Sequence, residues 1–133
     1  MRVIAGYQKG RKLCTPGNQE IRPTSDKVKR ALFNTIGSAI YGSSFLDLFA
    51  GSGAIGIEAL SRGAASVVLI EQNKKSVELI KKNLKLCGFL EERQTEIQII
   101  TSDAIGMISR LYGQKYNFNI IFADPPYSLD IFE

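Results

Sequence analysis

The sequence predicts an α/β protein whose mostly parallel sheet is covered by helices on both faces. Short apolar runs alternate with helical stretches in units of about 25 residues. The runs are continuously apolar, Val67-Val68-Leu69-Ile70 most clearly, as expected of strands buried on both faces. Gly51-Ser52-Gly53, Gly63 and Gly88 punctuate the units where strands turn into helices or helices stop.

Taken in order, residues 1–15 carry Gly6, Gly10 and short alternating apolar positions, which predicts a small β-hairpin or a pair of short strands. Pro16-Gly17-Asn18 is a turn signal. Thr24-Ser25-Asp26 can cap a first helix with Val28, Leu32 and Ile36 on its apolar side, ended by Gly37 or Gly42. Residues 45–49 form the first strand, and 54–62 the second helix. Residues 66–70 form the second strand, and 73–87 a third helix with Val77, Ile80, Leu84 and Cys87 on one face. Its lysines, Lys74, Lys75, Lys81, Lys82 and Lys85, make a solvated face. A third strand over 97–100, a helix over 103–112 and a fourth strand over 118–122 complete the alternation. A parallel strand in last place leaves its next neighbour missing. The expectation is one domain over 1–133, with 1–21 a basic hairpin extension and 22–133 a partial cofactor-binding core of a longer protein.

Composition narrows the chemistry. The chain contains no histidine and two widely separated cysteines, Cys14 and Cys87, so neither a zinc site nor a histidine base is expected. No apolar stretch approaches a membrane span, and the first residues lack the core of a signal peptide, which predicts a cytoplasmic protein without a membrane partner. The net charge of +4 is uneven. Residues 1–30 hold eight basic and two acidic side chains, a net +6, so the other 103 residues carry −2. A basic first lobe on a near-neutral body suits a phosphate backbone, with Arg2, Lys9, Arg11 and Lys12 as the candidate contacts. A lysine-rich solvated surface is the other reading.

The first chemical signal is Asp47-Leu48-Phe49-Ala50-Gly51-Ser52-Gly53-Ala54-Ile55-Gly56 at the end of the first strand. Gly51 and Gly53 let the backbone turn sharply and approach a ligand, and the following helix aims its free N–H groups at a bound anion. Glu71, twenty residues after Gly51, can accept hydrogen bonds from ribose hydroxyls. These features describe a nucleoside-containing cofactor, and Gly51–Gly56 also fits the dinucleotide fingerprint of nicotinamide enzymes. Two residues favour S-adenosylmethionine over a dinucleotide. Asp47 repels a pyrophosphate but suits an ammonium. Asp103, in Ser102-Asp103-Ala104 after the third strand, can accept from an adenine amino group or serve simply as a helix cap.

The second signal is Asp124-Pro125-Pro126-Tyr127, just past the fourth strand. Parallel strands deliver their ends to one rim, so this loop, the glycine turn and Glu71 converge. The Asp124 carboxylate and the Pro125 carbonyl can accept hydrogen bonds from an aryl amine and localise its lone pair for attack. Consecutive prolines stiffen the loop, and Tyr127 offers a flat face to a splayed-out base.

With both signals in hand, the chain resembles the small-subunit ribosomal RNA guanine-N2 methyltransferases of bacteria (RsmD type). The likeness runs through Arg2-Val3-Ile4-Ala5-Gly6, Gly10-Arg11-Lys12-Leu13, Arg22-Pro23-Thr24-Ser25-Asp26-Lys27-Val28, Ala31-Leu32-Phe33-Asn34, Asp47–Gly56, Glu58-Ala59-Leu60-Ser61-Arg62-Gly63-Ala64, Glu71 and Asp124–Tyr127. The resemblance implies a Rossmann-like class I methyltransferase fold with further C-terminal strands that this chain lacks. It implies S-adenosylmethionine as donor and the exocyclic N2 of a guanine in 16S ribosomal RNA as acceptor. It sets Arg22 and Thr24 beside the cofactor, with Asp47, Ala50, Gly51, Ser52, Gly53, Glu71, Asp103 and Ala104. The motif by itself leaves adenine N6 and cytosine N4, in RNA or DNA, open as acceptors. Two other classes stay in contention: a nicotinamide oxidoreductase, for which no proton relay is visible, and a truncated, non-catalytic RNA-binding form.

Overall fold

The computed structural model describes residues 1–15, 25–90 and 95–126. Its elements alternate as the apolar runs require: α1 (Asp26–Ile36), a 3-10 turn (Gly37–Ile40), β1 (Ser44–Asp47), α2 (Ala54–Ser61), β2 (Ser66–Glu71), α3 (Lys74–Leu86), β3 (Glu96–Thr101), α4 (Ala104–Gly113) and β4 (Ile120–Phe122). The strands form one parallel sheet in the order β3-β2-β1-β4. Register pairs Asp47 with Leu69 and with Phe122, and Glu71 with Thr101. The order reverses direction between β1 and β4, and open parallel sheets hold their ligands outside the carboxyl ends of the strands at such a reversal.

The continuous strands are buried from both sides. Val67 and Leu69 pack with Phe45, Ile57, Leu60, Ile80, Leu84 and Phe33 in one core, while Val68 and Ile70 pack with Leu46, Leu48, Met107 and Leu111 in another. The first core is roofed by α1, α2 and α3, and the second by α4. Gly56 of α2 sets the closeness of the first roof, because a Cβ there would collide with the Leu69 side chain and sit 3.1 Å from Val67 Cγ1. The five lysines of α3 are exposed, and Cys87 is buried at the helix end, as the periodicity predicts.

Two expectations need correction. Ser25 caps α1, its Oγ accepting from the Val28 N–H at 3.2 Å, but Val28 is 54% exposed. The fully buried positions are Lys29 and Phe33, with Leu32 and Ile36 packed half-buried against the same core as expected. Lys29 displaces the expected apolar residue because its ammonium has partners: it donates to the Arg2 carbonyl at 2.6 Å and lies 3.6 Å from the buried Glu58 carboxylate.

The first fifteen residues form a hairpin-like lobe with a single antiparallel bridge, Arg2 to Lys12, instead of two strands. Met1 and Val3 make the cross-strand bonds, and beyond Val3 the chain turns its backbone to α2. Ile4 and Ala5 N–H groups donate to Glu58 at 2.9 and 3.1 Å, and Tyr7 N–H donates to the Ser61 carbonyl at 2.8 Å. Gly6 sits at φ +86°, where a Cβ would strike that same Ser61 carbonyl. Arg62 closes the network on Glu58 at 2.8 Å. The turn expected at Pro16-Gly17-Asn18 lies outside the described residues.

Candidate active site

The rim at the strand ends is built from four short connections. Between β1 and α2, the chain turns through Gly51 at φ +57° and Gly53 at φ +84°, a region that strains any residue with a Cβ. A Cβ on Gly51 would meet nothing within 4 Å, so the turn presents open backbone there. Gly53 backs onto α3 instead, with Ile80 at 3.3 Å from the position of a Cβ. Gly53 also caps α2 without a side-chain hydrogen bond, leaving the N–H groups of its first turn free for an anion. Ala50 is buried, its N–H donating to the Ile70 carbonyl at 2.9 Å, and Ser52, between the two glycines, is buried as well.

Asp47 closes β1 and is 1% exposed. Its Oδ1 accepts from the Phe49 N–H at 3.1 Å. Burial pushes its pKa up to about 7, and the negative charges of Glu71 and Asp124 push the same way against that one hydrogen bond. Carboxylates from two other strand ends thus lie near enough to act on Asp47 across the rim. Half-buried Glu71 is also raised by burial, opposed by the N–H groups of Gly51, Asn73 and Gln72. The glycine turn and Glu71 are thus direct neighbours.

Asp103 follows β3 and caps α4, its Oδ2 accepting from the Gly106 N–H at 3.1 Å. It lies beside Glu71, because the Ser102 N–H donates to the Glu71 carbonyl at 3.1 Å. Ala104 is buried below it. Beyond β4, Asp124 and Pro126 are exposed and Pro125 is half-buried. The Leu48 N–H to Phe122 carbonyl bond of 3.0 Å ties this loop to β1. Arg22, Thr24 and Tyr127 lie outside the described residues.

The basic lobe lies along α2 and α3. Lys9, Arg11 and Lys12 are exposed and, with Tyr7 and Leu86, line an open cavity of about 800 Å³. Arg2 pairs with Lys12 across the lobe's antiparallel bridge but does not line the cavity, its exposed guanidinium lying 3.9 Å from Asp26. One residue that the sequence reading passed over ties the lobe to the rim. Asn83 of α3 is 0% exposed and bonds to both Cys14 and Ser52. Its signal was a polar side chain on the apolar stripe, three residues after Ile80 and four before Cys87. Among the described residues no group of three or more His, Cys, Asp or Glu side chains can hold a metal, and no helix is long and apolar enough to cross a membrane.

Relatives carry the same architecture. Ribosomal RNA small subunit methyltransferase D of Haemophilus influenzae is 37% identical over 133 residues, which is 100% of this chain and 67% of that protein. The chain spans 63–67% of the length of such curated relatives. The solved structure of a hypothetical protein from Thermus thermophilus superposes with a TM-score of 0.84 at 30% identity, covering 98% of this chain and 72% of the other. A SAM-dependent methyltransferase from Agrobacterium tumefaciens matches with a TM-score of 0.62 at 29% identity, over 73% of this chain and 30% of the other. These neighbours share the Rossmann-like methyltransferase fold of the parallel sheet described above. The model of the family described as Conserved hypothetical protein 95 matches residues 1–133 from end to end, and the chain belongs to that family.

Proposed function

We propose that this protein is a cytoplasmic, S-adenosylmethionine-dependent methyltransferase acting on the exocyclic N2 of a guanine in 16S ribosomal RNA. The observation that carries this reading is the convergence of buried Asp47, Glu71 and the open face of Gly51 with Asp124-Pro125-Pro126 at one rim. The names of the Haemophilus relative and the Agrobacterium neighbour support it.

The residues fit the cofactor. Gly51 leaves open backbone at the turn, free of side chains within 4 Å, and Glu71 is an acceptor for ribose hydroxyls. Asp47 is a buried carboxylate among other carboxylates, an environment in which a ligand ammonium is favoured. Asp103 and Ala104 receive the adenine, Ala50 and Ser52 shape the turn, and Arg22 and Thr24 border the cofactor as the family resemblance implies. When bound, S-adenosylmethionine supplies a methyl group made electrophilic by its sulfonium.

The chain's own groups handle the acceptor. Asp124 and the Pro125 carbonyl accept hydrogen bonds from the base amine, which localises its lone pair and aims it. Pro125 and Pro126 restrict the loop so that this geometry holds between turnovers. Tyr127 stacks on the base. Proton loss from the product amine needs no histidine, since the acceptor carboxylate lies at the solvent-exposed rim. Arg2, Lys9, Arg11 and Lys12 hold RNA phosphates without reading bases.

The test is transfer of labelled methyl from the cofactor to small-subunit ribosomal RNA, free or in particles, followed by nucleoside analysis. Label in N2-methylguanosine is expected. Label in methylated adenine or cytosine instead, or none in RNA of either form, overturns the assignment.

A further inference from the structure

We propose that Asn83 is a positioning residue that couples the basic lobe to the cofactor turn, so that occupancy of one changes the affinity of the other. This rests on the reading that the turn holds the cofactor and the lobe holds RNA. Asn83 is completely buried on α3, and its amide is divided between two segments far away in sequence. Oδ1 accepts from the Cys14 N–H at 2.7 Å. Nδ2 donates to the Cys14 carbonyl at 3.0 Å and to the Ser52 carbonyl at 3.0 Å. An amide nitrogen has two hydrogens, so both are used, one on each segment.

Each end of this bridge is mechanically defined. Cys14 follows Arg11, Lys12 and Leu13, and its N–H and C=O are both held, so the side chain grips the lobe as a strand neighbour would. Ser52 is the middle residue of the turn. Its carbonyl shares a peptide plane with the Gly53 N–H, which donates to the Ala50 carbonyl at 2.8 Å. That plane is therefore pinned from both sides, and Asn83 is one of the two pins. Gly51 and Gly53, at φ +57° and +84°, give the turn alternatives that residues with side chains lack. A shift of the lobe under bound RNA pulls on Cys14, then Asn83, then the Ser52 carbonyl. A cofactor that orders the turn acts along the same bonds in reverse, and the two effects must be equal in free energy.

The wild-type experiment is a binding box. The Kd of S-adenosylhomocysteine is measured by calorimetry with and without saturating 16S ribosomal RNA, and the Kd of the RNA with and without S-adenosylhomocysteine. A ratio of about fivefold or more, equal in the two directions, is expected. In Asn83→Leu, both ligands should still bind and the ratio should fall to within about twofold of unity. A wild-type ratio near one, or a ratio that survives in Asn83→Leu, overturns the coupling. Because the variant removes buried hydrogen bonds and can fail to fold, amide exchange on the wild type supplies an independent readout. S-adenosylhomocysteine should slow exchange at the Cys14 N–H, in the lobe, and unchanged exchange there overturns the proposal. Failure of S-adenosylhomocysteine to bind the wild type at all overturns the cofactor reading itself, and this inference with it.

Discussion

Asp47→Asn should make the free protein more stable while weakening its hold on the cofactor. The carboxyl is displaced from its ordinary pKa near 3.8 to about 7, chiefly by burial. That displacement of roughly three pH units corresponds to about 4 kcal/mol that ionisation withdraws from the fold once the pH exceeds 7. Asparagine keeps the bond from the Phe49 N–H through its Oδ1 but brings an NH₂ that needs an acceptor, offsetting about 1–3 kcal/mol. A net gain of about 1–3 kcal/mol at pH 8 follows, or roughly 3–10 °C in Tm for a chain of this size.

The pH dependence has a defined sign. Between pH 4 and 7 the folded wild type holds a proton that the unfolded chain has released, so this group's contribution to stability falls as pH rises through that window and is flat above it. The variant lacks that slope, so near pH 4, where the wild type carries no ionisation cost, the variant is the less stable by about 1–3 kcal/mol, and the difference reverses sign as pH rises and reaches its plateau above pH 7. Thermal unfolding followed by circular dichroism at pH 4, 5.5, 7 and 8 measures it. Calorimetry with S-adenosylhomocysteine at pH 8 should meanwhile show affinity reduced by about 1.5–3 kcal/mol, the value of a hydrogen bond to a charged group. Wild-type binding below pH 7 should release up to one proton, visible as a dependence of the heat on buffer ionisation. A variant equally or less stable at pH 8, or a stability gap that does not change with pH, refutes the assignment of a destabilising buried charge.

Glu71→Ala should weaken S-adenosylhomocysteine binding by about 1–3 kcal/mol, and unchanged affinity by calorimetry removes it from the ribose site. Asp124→Ala should abolish methyl transfer while leaving cofactor affinity within a few-fold, and near-wild-type turnover in single-turnover assays removes it from the mechanism. The double substitution Arg11→Ala with Lys12→Ala should make the salt dependence of RNA binding shallower by about one unit or more, at roughly 0.7 per phosphate on single strands. Parallel slopes would leave the lobe as solvated surface. Glu58→Ala strands the buried Lys29 ammonium and two lobe N–H groups, so it should cost about 3–5 kcal/mol in denaturant unfolding, and a loss below about 1 kcal/mol would mean that this network contributes little.

The sheet and the rim were legible in the sequence because they rest on local rules. Continuous apolar runs separated by glycines are a one-dimensional signal, and each helix and strand fell within a few residues of its expected bounds, with β4 shortened to three residues. Asp47, Glu71, Asp103 and Asp124 were legible for a topological reason: parallel strands send their carboxyl ends to one side, so position after a strand is enough to gather them. The tertiary structure alone decided which residues of α1 lie deepest, Lys29 and Phe33, while Leu32 and Ile36 of the expected stripe pack half-buried beside them. Periodicity selects the apolar stripe, yet Lys29 occupies the core because Glu58 and the Arg2 carbonyl, remote in sequence, offset part of the desolvation of its ammonium. It alone ended the expected hairpin at one bridge, because beyond Val3 the Ala5 N–H goes to Glu58 of α2 instead of to the partner strand. Asn83 belongs to the same class. Its chemistry is written in the sequence, but its partners stand 69 and 31 residues away, and only packing brings a buried amide to backbone groups that need it.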